Sequence, residues 1–201
     1  MLSANGLTCL RGKRQLFSGL SLALVPGEWL HIRGDNGAGK TSLLRMLAGL
    51  SEPTAGSVAW DGRDIATCPE EFHRHLLFLG HHEALKDELS ALENLLLAAA
   101  LDGQALGAVE VCAALARFGL RGREQLPVGC LSAGQKRRVL LARLLTRHAT
   151  LWILDEPFTA LDVAAVAALS ELITQHLSSA GMVIMTSHQA IGLAAGKVLQ
   201  L

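Results

Sequence analysis

The sequence predicts an α/β fold with a mixed, mainly parallel sheet at its core, an N-terminal antiparallel β portion and an inserted helical lobe. Three observations carry that expectation. Trp29, Leu30, His31 and Ile32 form an apolar strand pattern that runs into a glycine-rich turn and then a helical pattern, the order of a parallel-sheet crossover. A second apolar run, residues 151–154, ends in two carboxylates, and a third, residues 182–185, follows a helical stretch. Between the first run and the second, residues 83–128 are rich in leucine and alanine at helical spacing.

Taken in order, residues 7–24 alternate loosely around the basic turn Arg11, Gly12, Lys13 and Arg14, and this is the antiparallel portion. Pro26 and Gly27 introduce the strand at residues 29–33. The helix that follows runs over residues 42–48 and stops at Gly49. Pro53, Gly56 and the Asp61-Gly62 pair then punctuate a hairpin-like piece around residues 57–60. Ser90 and Glu93 make a capping box that opens the leucine-rich helix, and residues 109–118 read as a second helix. Ser132 and Gln135 make another capping box, opening a basic helix at Lys136, Arg137 and Arg138. A helix over 163–177 separates the last two strands. The expected organisation is one domain over 1–201, with 1–82 and 134–201 as the β core and 83–133 as the helical subdomain.

Lysine plus arginine and aspartate plus glutamate number 18 each, so no global charge selects nucleic acid or an anionic surface, and no nucleic-acid partner is expected. The longest apolar run is about residues 95–101, too short to span a bilayer. No basic, hydrophobic leader pattern opens the chain, which is therefore expected on the cytoplasmic side. Cys9, Cys68, Cys112 and Cys130 form no C-x-x-C pair, which fits reduced thiols better than a disulfide frame or a zinc site.

The chemistry starts at Gly34, Asp35, Asn36, Gly37, Ala38, Gly39, Lys40 and Thr41, which fit G-x-x-x-x-G-K-[ST]. Glycines let backbone N–H groups wrap the phosphates of ATP, with Ser42 beside them at the helix start. Lys40 is expected to reach the outer phosphates, while Thr41 and Asp155 hold Mg2+, which binds through few protein oxygens. Glu156, on the opposite face of an extended chain from Asp155, is expected to act as general base or to orient the attacking water. His188, just past the strand at 182–185, is placed to sense the outer phosphate; a lone histidine is otherwise more often a core or surface residue. Cys68-Pro69 with His73, His75, His81 and His82 nearby collects haem-ligating residue types, although a solvated histidine cluster explains it more simply.

These motifs, in this order, resemble the ABC ATPase family over nearly the full chain. Leu131, Ser132, Ala133, Gly134 and Gln135 resemble the family signature, Asp162 in Ala160-Leu161-Asp162 resembles the loop that links two active sites, and His188 resembles the switch histidine. The resemblance implies a P-loop NTPase core and a homodimer that sandwiches ATP between the phosphate loop of one copy and Ser132, Gly134 and Gln135 of the other. Residues 17–21, 27–29, 89–95, 151–160 and 187–189 are similar to the cytochrome c maturation ATPases in particular. That similarity implies a peripheral subunit on the cytoplasmic face of the bacterial inner membrane. It also implies the integral membrane partners CcmB, CcmC and CcmD and an indirect link to a haem chaperone, ATP driving haem export or chaperone release. Two positions depart from the family pattern. His82 stands where a glutamine is expected, and Arg11 where many relatives stack an aromatic ring on adenine.

The competing classes are the ATPase of a different ABC exporter, a soluble translation or DNA-repair ABC protein, and a small-molecule kinase. One motif set argues against tandem translation factors. The interval from Lys40 to Leu131 holds no sustained heptads, which argues against the coiled coils of repair proteins. A kinase has no use for the signature.

Overall fold

The structure is a computed structural model that describes residues 1–80, 84–187, 192–193 and 196–201. Their contacts divide the chain into two compact units, Met1–Gly80 with Ala149–Pro157 and Ile173–Leu201, and His81–His148 with Phe158–Leu172.

The first unit holds two sheets. Strands β1 (Leu2–Arg11) and β2 (Arg14–Leu24) form a hairpin whose two-residue turn begins at Gly12, and β4 (Ala55–Trp60) pairs with the other edge of β1. Asp61 and Gly62, both at positive φ, reverse the chain into β5 (Arg63–Asp64), as a two-residue turn between right-twisted strands requires. Gly56 is required by a close approach: a Cβ there would sit 2.4 Å from the Asn5 carbonyl oxygen. The antiparallel order is β2-β1-β4-β5.

The second sheet is wholly parallel among the described residues. It comprises β3 (Trp29–Arg33), β6 (Leu76–Leu79), β7 (Leu151–Leu154), β8 (Met182–Thr186) and β9 (Lys197–Gln200), in the order β6-β7-β8-β3-β9. Every residue of β7 and β8 is buried, the pattern of strands covered on both faces. Helix α1 (Lys40–Leu47) contributes Leu43, Leu44 and Leu47 to a core that also takes Leu2 and Leu7 from β1 and Ile153 and Ile184 from the parallel sheet. The short helix α2 (Pro69–Arg74) precedes β6. Strands β6 and β9 were not expected from the sequence. Four apolar residues in a row do not separate strand from helix, and β9 is half polar.

In the second unit α3 (Ala91–Leu101), α4 (Ala108–Arg117) and α5 (Ala133–Thr146) pack on one another. Both expected capping boxes form: Ser90 Oγ accepts from Glu93 N while the Glu93 carboxylate accepts from Ser90 N, and Ser132 and Gln135 do the same at α5. Asn94 is buried and ties down the loop before α3, its amide donating to the carbonyls of Lys86, Leu89 and Ser90. Helix α5 packs with α3 and α4, whereas the sequence reading closes the helical lobe at residue 133; its Val139, Leu140 and Leu141 are buried. Helix α6 (Val163–Ser178) begins in this unit and ends in the first. No helix among the described residues is long and apolar enough to cross a membrane.

Candidate functional site

The phosphate loop is shaped by three glycines at positive φ, Gly34, Gly37 and Gly39, which side-chain-bearing residues adopt only under strain. Space is also restricted: a Cβ on Gly39 would come within 3.1 Å of Leu16 Cβ, and one on Gly34 within 3.1 Å of the Leu201 carbonyl oxygen. Gly39 caps α1 without a side chain, so the first-turn N–H groups of Lys40, Thr41 and Ser42 have no capping side chain and suit an anion. Lys40 Nζ donates to the carbonyl oxygens of Gly34, at 2.6 Å, and Asp35, at 3.1 Å, which curls the side chain over the loop.

Across the sheet, β7 delivers Asp155. This carboxylate is only 3% exposed and both oxygens are engaged: Oδ2 accepts from Thr41 Oγ1 at 2.8 Å and Oδ1 from Thr186 Oγ1 at 2.7 Å. Thr186 in turn accepts from the backbone N–H of Glu156 at 2.8 Å. Glu156 has φ 49°, so the chain is not extended there as the sequence reading assumed. Strand β7 ends at Leu154, and it is this left-handed turn that separates the direction of Glu156 from that of Asp155.

Thr186 was missed by sequence reasoning. A buried threonine closing an otherwise apolar strand is the only signal it leaves. His31, inside β3, was missed as well, being read only as part of a strand. It is 3% exposed, and burial, followed by the Arg33 charge, holds its pKa below the ordinary imidazole value against the opposing hydrogen bond to Ser187.

Arg11 ends β1 opposite Arg14 and is exposed, while Leu16 and Phe17 of β2 are the side chains beside Gly39. The positions expected to matter at His82 and His188 lie outside the described residues. So do His81 and part of the histidine-rich stretch. Of that stretch's other members, Cys68 Sγ donates to the Asp64 carbonyl, His73 Nε2 pairs with the Ala48 carbonyl, and His75 stacks on Trp60, so these groups serve local packing.

In the second unit residues 131–135, expected as the signature, lead into α5, with Ser132 as its N-cap. A Cβ on Gly134 would lie 2.8 Å from the Ala160 carbonyl oxygen, so glycine permits this approach of backbone to backbone. One turn later Arg138 Nη2 donates to Asp162 Oδ2 at 2.5 Å, and Asp162 Oδ1 accepts from Ala165 N at the start of α6. The cap and the guanidinium together keep the Asp162 carboxyl below its usual pKa, the Ala165 N–H contributing most.

Residues 17–159 match the ABC transporter family. The chain is 52% identical over 201 residues to the cytochrome c biogenesis ATP-binding export protein CcmA of Dechloromonas aromatica (strain RCB), covering all of this chain and 98% of that one. Among solved structures, an ATP-binding subunit of an ABC transporter superposes with TM-score 0.83 at 28% identity, covering 94% of this chain and 80% of the other. A dimeric ATP-binding cassette in a post-hydrolysis state, bound to ADP and phosphate, also superposes with TM-score 0.83. It is 23% identical, over 94% of this chain and 88% of that one.

Proposed function

The chain belongs to the ABC transporter family, and within it to the CcmA proteins of cytochrome c biogenesis, and from that premise we propose that it is the ATP-hydrolysing subunit of a cytochrome c biogenesis complex. Relatedness over all of this chain and 98% of the relative carries this reading. The phosphate chain of ATP lies along residues 34–41, held by backbone N–H groups and the start of α1, and Lys40 exchanges its loop carbonyls for the outer phosphates.

Thr41 and Asp155 are the residues that would hold Mg2+. Two oxygen donors bonded to each other at the mouth of the loop suit a hard cation that keeps most of its shell for water and phosphate. When bound, the ion neutralises charge on the phosphate oxygens. Glu156 receives the proton of the attacking water or holds that water in line, and Thr186 fixes the backbone from which Glu156 projects. In this reading His188 would sense the outer phosphate, His82 would act on the metal side of the site and Arg11 would face the adenine.

Two copies pair around ATP, so that Ser132, Gly134, Gln135 and Asp162 of one copy face the nucleotide on the loop of the other. The dimeric neighbour with bound ADP and phosphate supports that arrangement for this fold. Peripheral attachment to CcmB, CcmC and CcmD at the cytoplasmic face of the inner membrane completes the reading, with turnover coupled to haem export or to release of a haem-loaded chaperone.

The test is genetic. Deleting the gene in its host and restoring either wild type or Lys40→Ala should return covalent haem to c-type cytochromes only with wild type. Normal haem attachment in the deletion strain, with no second copy present, would refute the assignment to cytochrome c biogenesis.

A further inference from the structure

His31 lies on β3, separated by β8 from the strand that carries the carboxylates, and its two ring nitrogens are engaged in a way that admits a single protonation state. Arg33 Nε donates to Nδ1 at 3.1 Å, and a guanidinium N–H can only donate, so Nδ1 carries a lone pair. Nε2 lies 3.1 Å from the Ser187 carbonyl oxygen, which can only accept, so Nε2 carries the proton. The imidazole is therefore neutral and singly oriented. Trp29 supports it from one side with ring centroids 6.1 Å apart, and burial favours the uncharged form.

What this histidine holds is the end of β8. Strands β3 and β8 are paired neighbours, with His31 opposite Met185 and Ile32 opposite Thr186, and pairing stops there. Ser187 is the first residue past that ladder, and His31 fixes its carbonyl from the side. Immediately before it, the Thr186 hydroxyl donates to Asp155 and accepts from the Glu156 N–H. The held carbonyl lies one residue beyond the Thr186 side chain, so a shift of the chain at Ser187 would displace the backbone on which that hydroxyl stands.

We infer that His31 is a positioning residue for hydrolysis: it anchors the exit of β8 through the Ser187 carbonyl, and Thr186 is thereby held against Asp155 and Glu156. This rests on the ATPase reading. The effect is expected on turnover more than on nucleotide binding, because Thr186 supports the backbone of Glu156, whereas Lys40 donates to the carbonyls of Gly34 and Asp35 and the loop meets these contacts through Thr41 and Asp155.

The test measures ATP turnover and nucleotide affinity of the full-length protein, with wild type, Lys40→Ala, His31→Leu and His31→Gln compared. Glutamine keeps an N–H donor near the Nε2 position; leucine keeps the volume and removes the donor. His31→Leu should lower kcat roughly tenfold, the scale of a small misplacement of reacting groups, with KM for ATP within about twofold of wild type. His31→Gln should recover most of the loss. Equal kcat in wild type and His31→Leu would overturn the proposal, as would a fall shared equally by kcat, nucleotide affinity and Tm that glutamine fails to restore, which marks a packing role. Failure of the ATPase reading looks different: wild type would then turn over no faster than Lys40→Ala, and the role of His31 would fall with it.

Discussion

Thr41 Oγ1 donates a 2.8 Å hydrogen bond to Asp155 Oδ2 across a sequence separation of 114 residues, joining the first turn of α1 to the end of β7. The bond pre-sets the two oxygens that, in the proposed mechanism, would hold Mg2+. Removing Thr41 leaves the Asp155 carboxylate without one of its partners in a buried place, since Asp155 is almost wholly covered. Asp155→Asn is expected to reduce Mg2+-dependent ATP turnover by ~100-fold or more, on the scale of losing one preorganised electrostatic group. Steady-state phosphate release with and without Mg2+ checks it, and wild-type turnover in the variant would reject the role of Asp155.

In the proposed mechanism Glu156 acts on the water, whereas binding of ATP uses the loop. Glu156→Gln keeps the shape and the backbone bond to Thr186 but removes the base, so turnover should fall by ~100-fold or more while ATP affinity stays near wild type. Gel filtration with ATP should then show the variant accumulating as a dimer. A monomeric elution at saturating ATP would count against the sandwich arrangement.

Gly134 leaves 2.8 Å between its missing Cβ and the Ala160 carbonyl oxygen, and backbone on both sides has little room to yield. Gly134→Ala should push the start of α5 away from the loop that carries Asp162. ATP turnover is expected to fall at least tenfold with little change in nucleotide binding by the isolated chain, read by equilibrium titration.

His176 stacks on Trp152 with centroids 3.7 Å apart and planes within 4°. Burial holds its pKa below the ordinary value, as it does for His31. The unfolded chain binds those protons near pH 6.5 and the folded chain only at lower pH. Stability is therefore complete above pH 6.5 and declines as pH falls through that value toward the depressed folded pKa values. Thermal unfolding between pH 7.5 and 5.5 should show Tm falling, by about 2–4 °C for each kcal/mol lost in a domain of this size. His176→Phe, which keeps the stack and cannot titrate, should flatten the dependence in part. An unchanged slope would assign the acid sensitivity to other groups.

By itself the sequence determined the local features. The glycine pattern required a phosphate loop at residues 34–41, the Ser90–Glu93 and Ser132–Gln135 pairs marked two helix starts, and unbroken apolar runs marked β7 and β8. Each is written in residues a few positions apart, where propensity and capping act. Only the tertiary structure decided the strand order β6-β7-β8-β3-β9, and with it every contact that organises the carboxylates. Periodicity says that a strand exists but not which strand lies beside it, so nothing local announces that Thr186 meets both Asp155 and Glu156, or that His31 reaches Ser187. The direction of Glu156 was likewise undecidable from alternation, because it depends on a left-handed turn that the surrounding hydrogen bonds impose. A polar residue inside an apolar strand is ambiguous until its partner is known, and here each partner comes from a neighbouring strand that folding brings alongside.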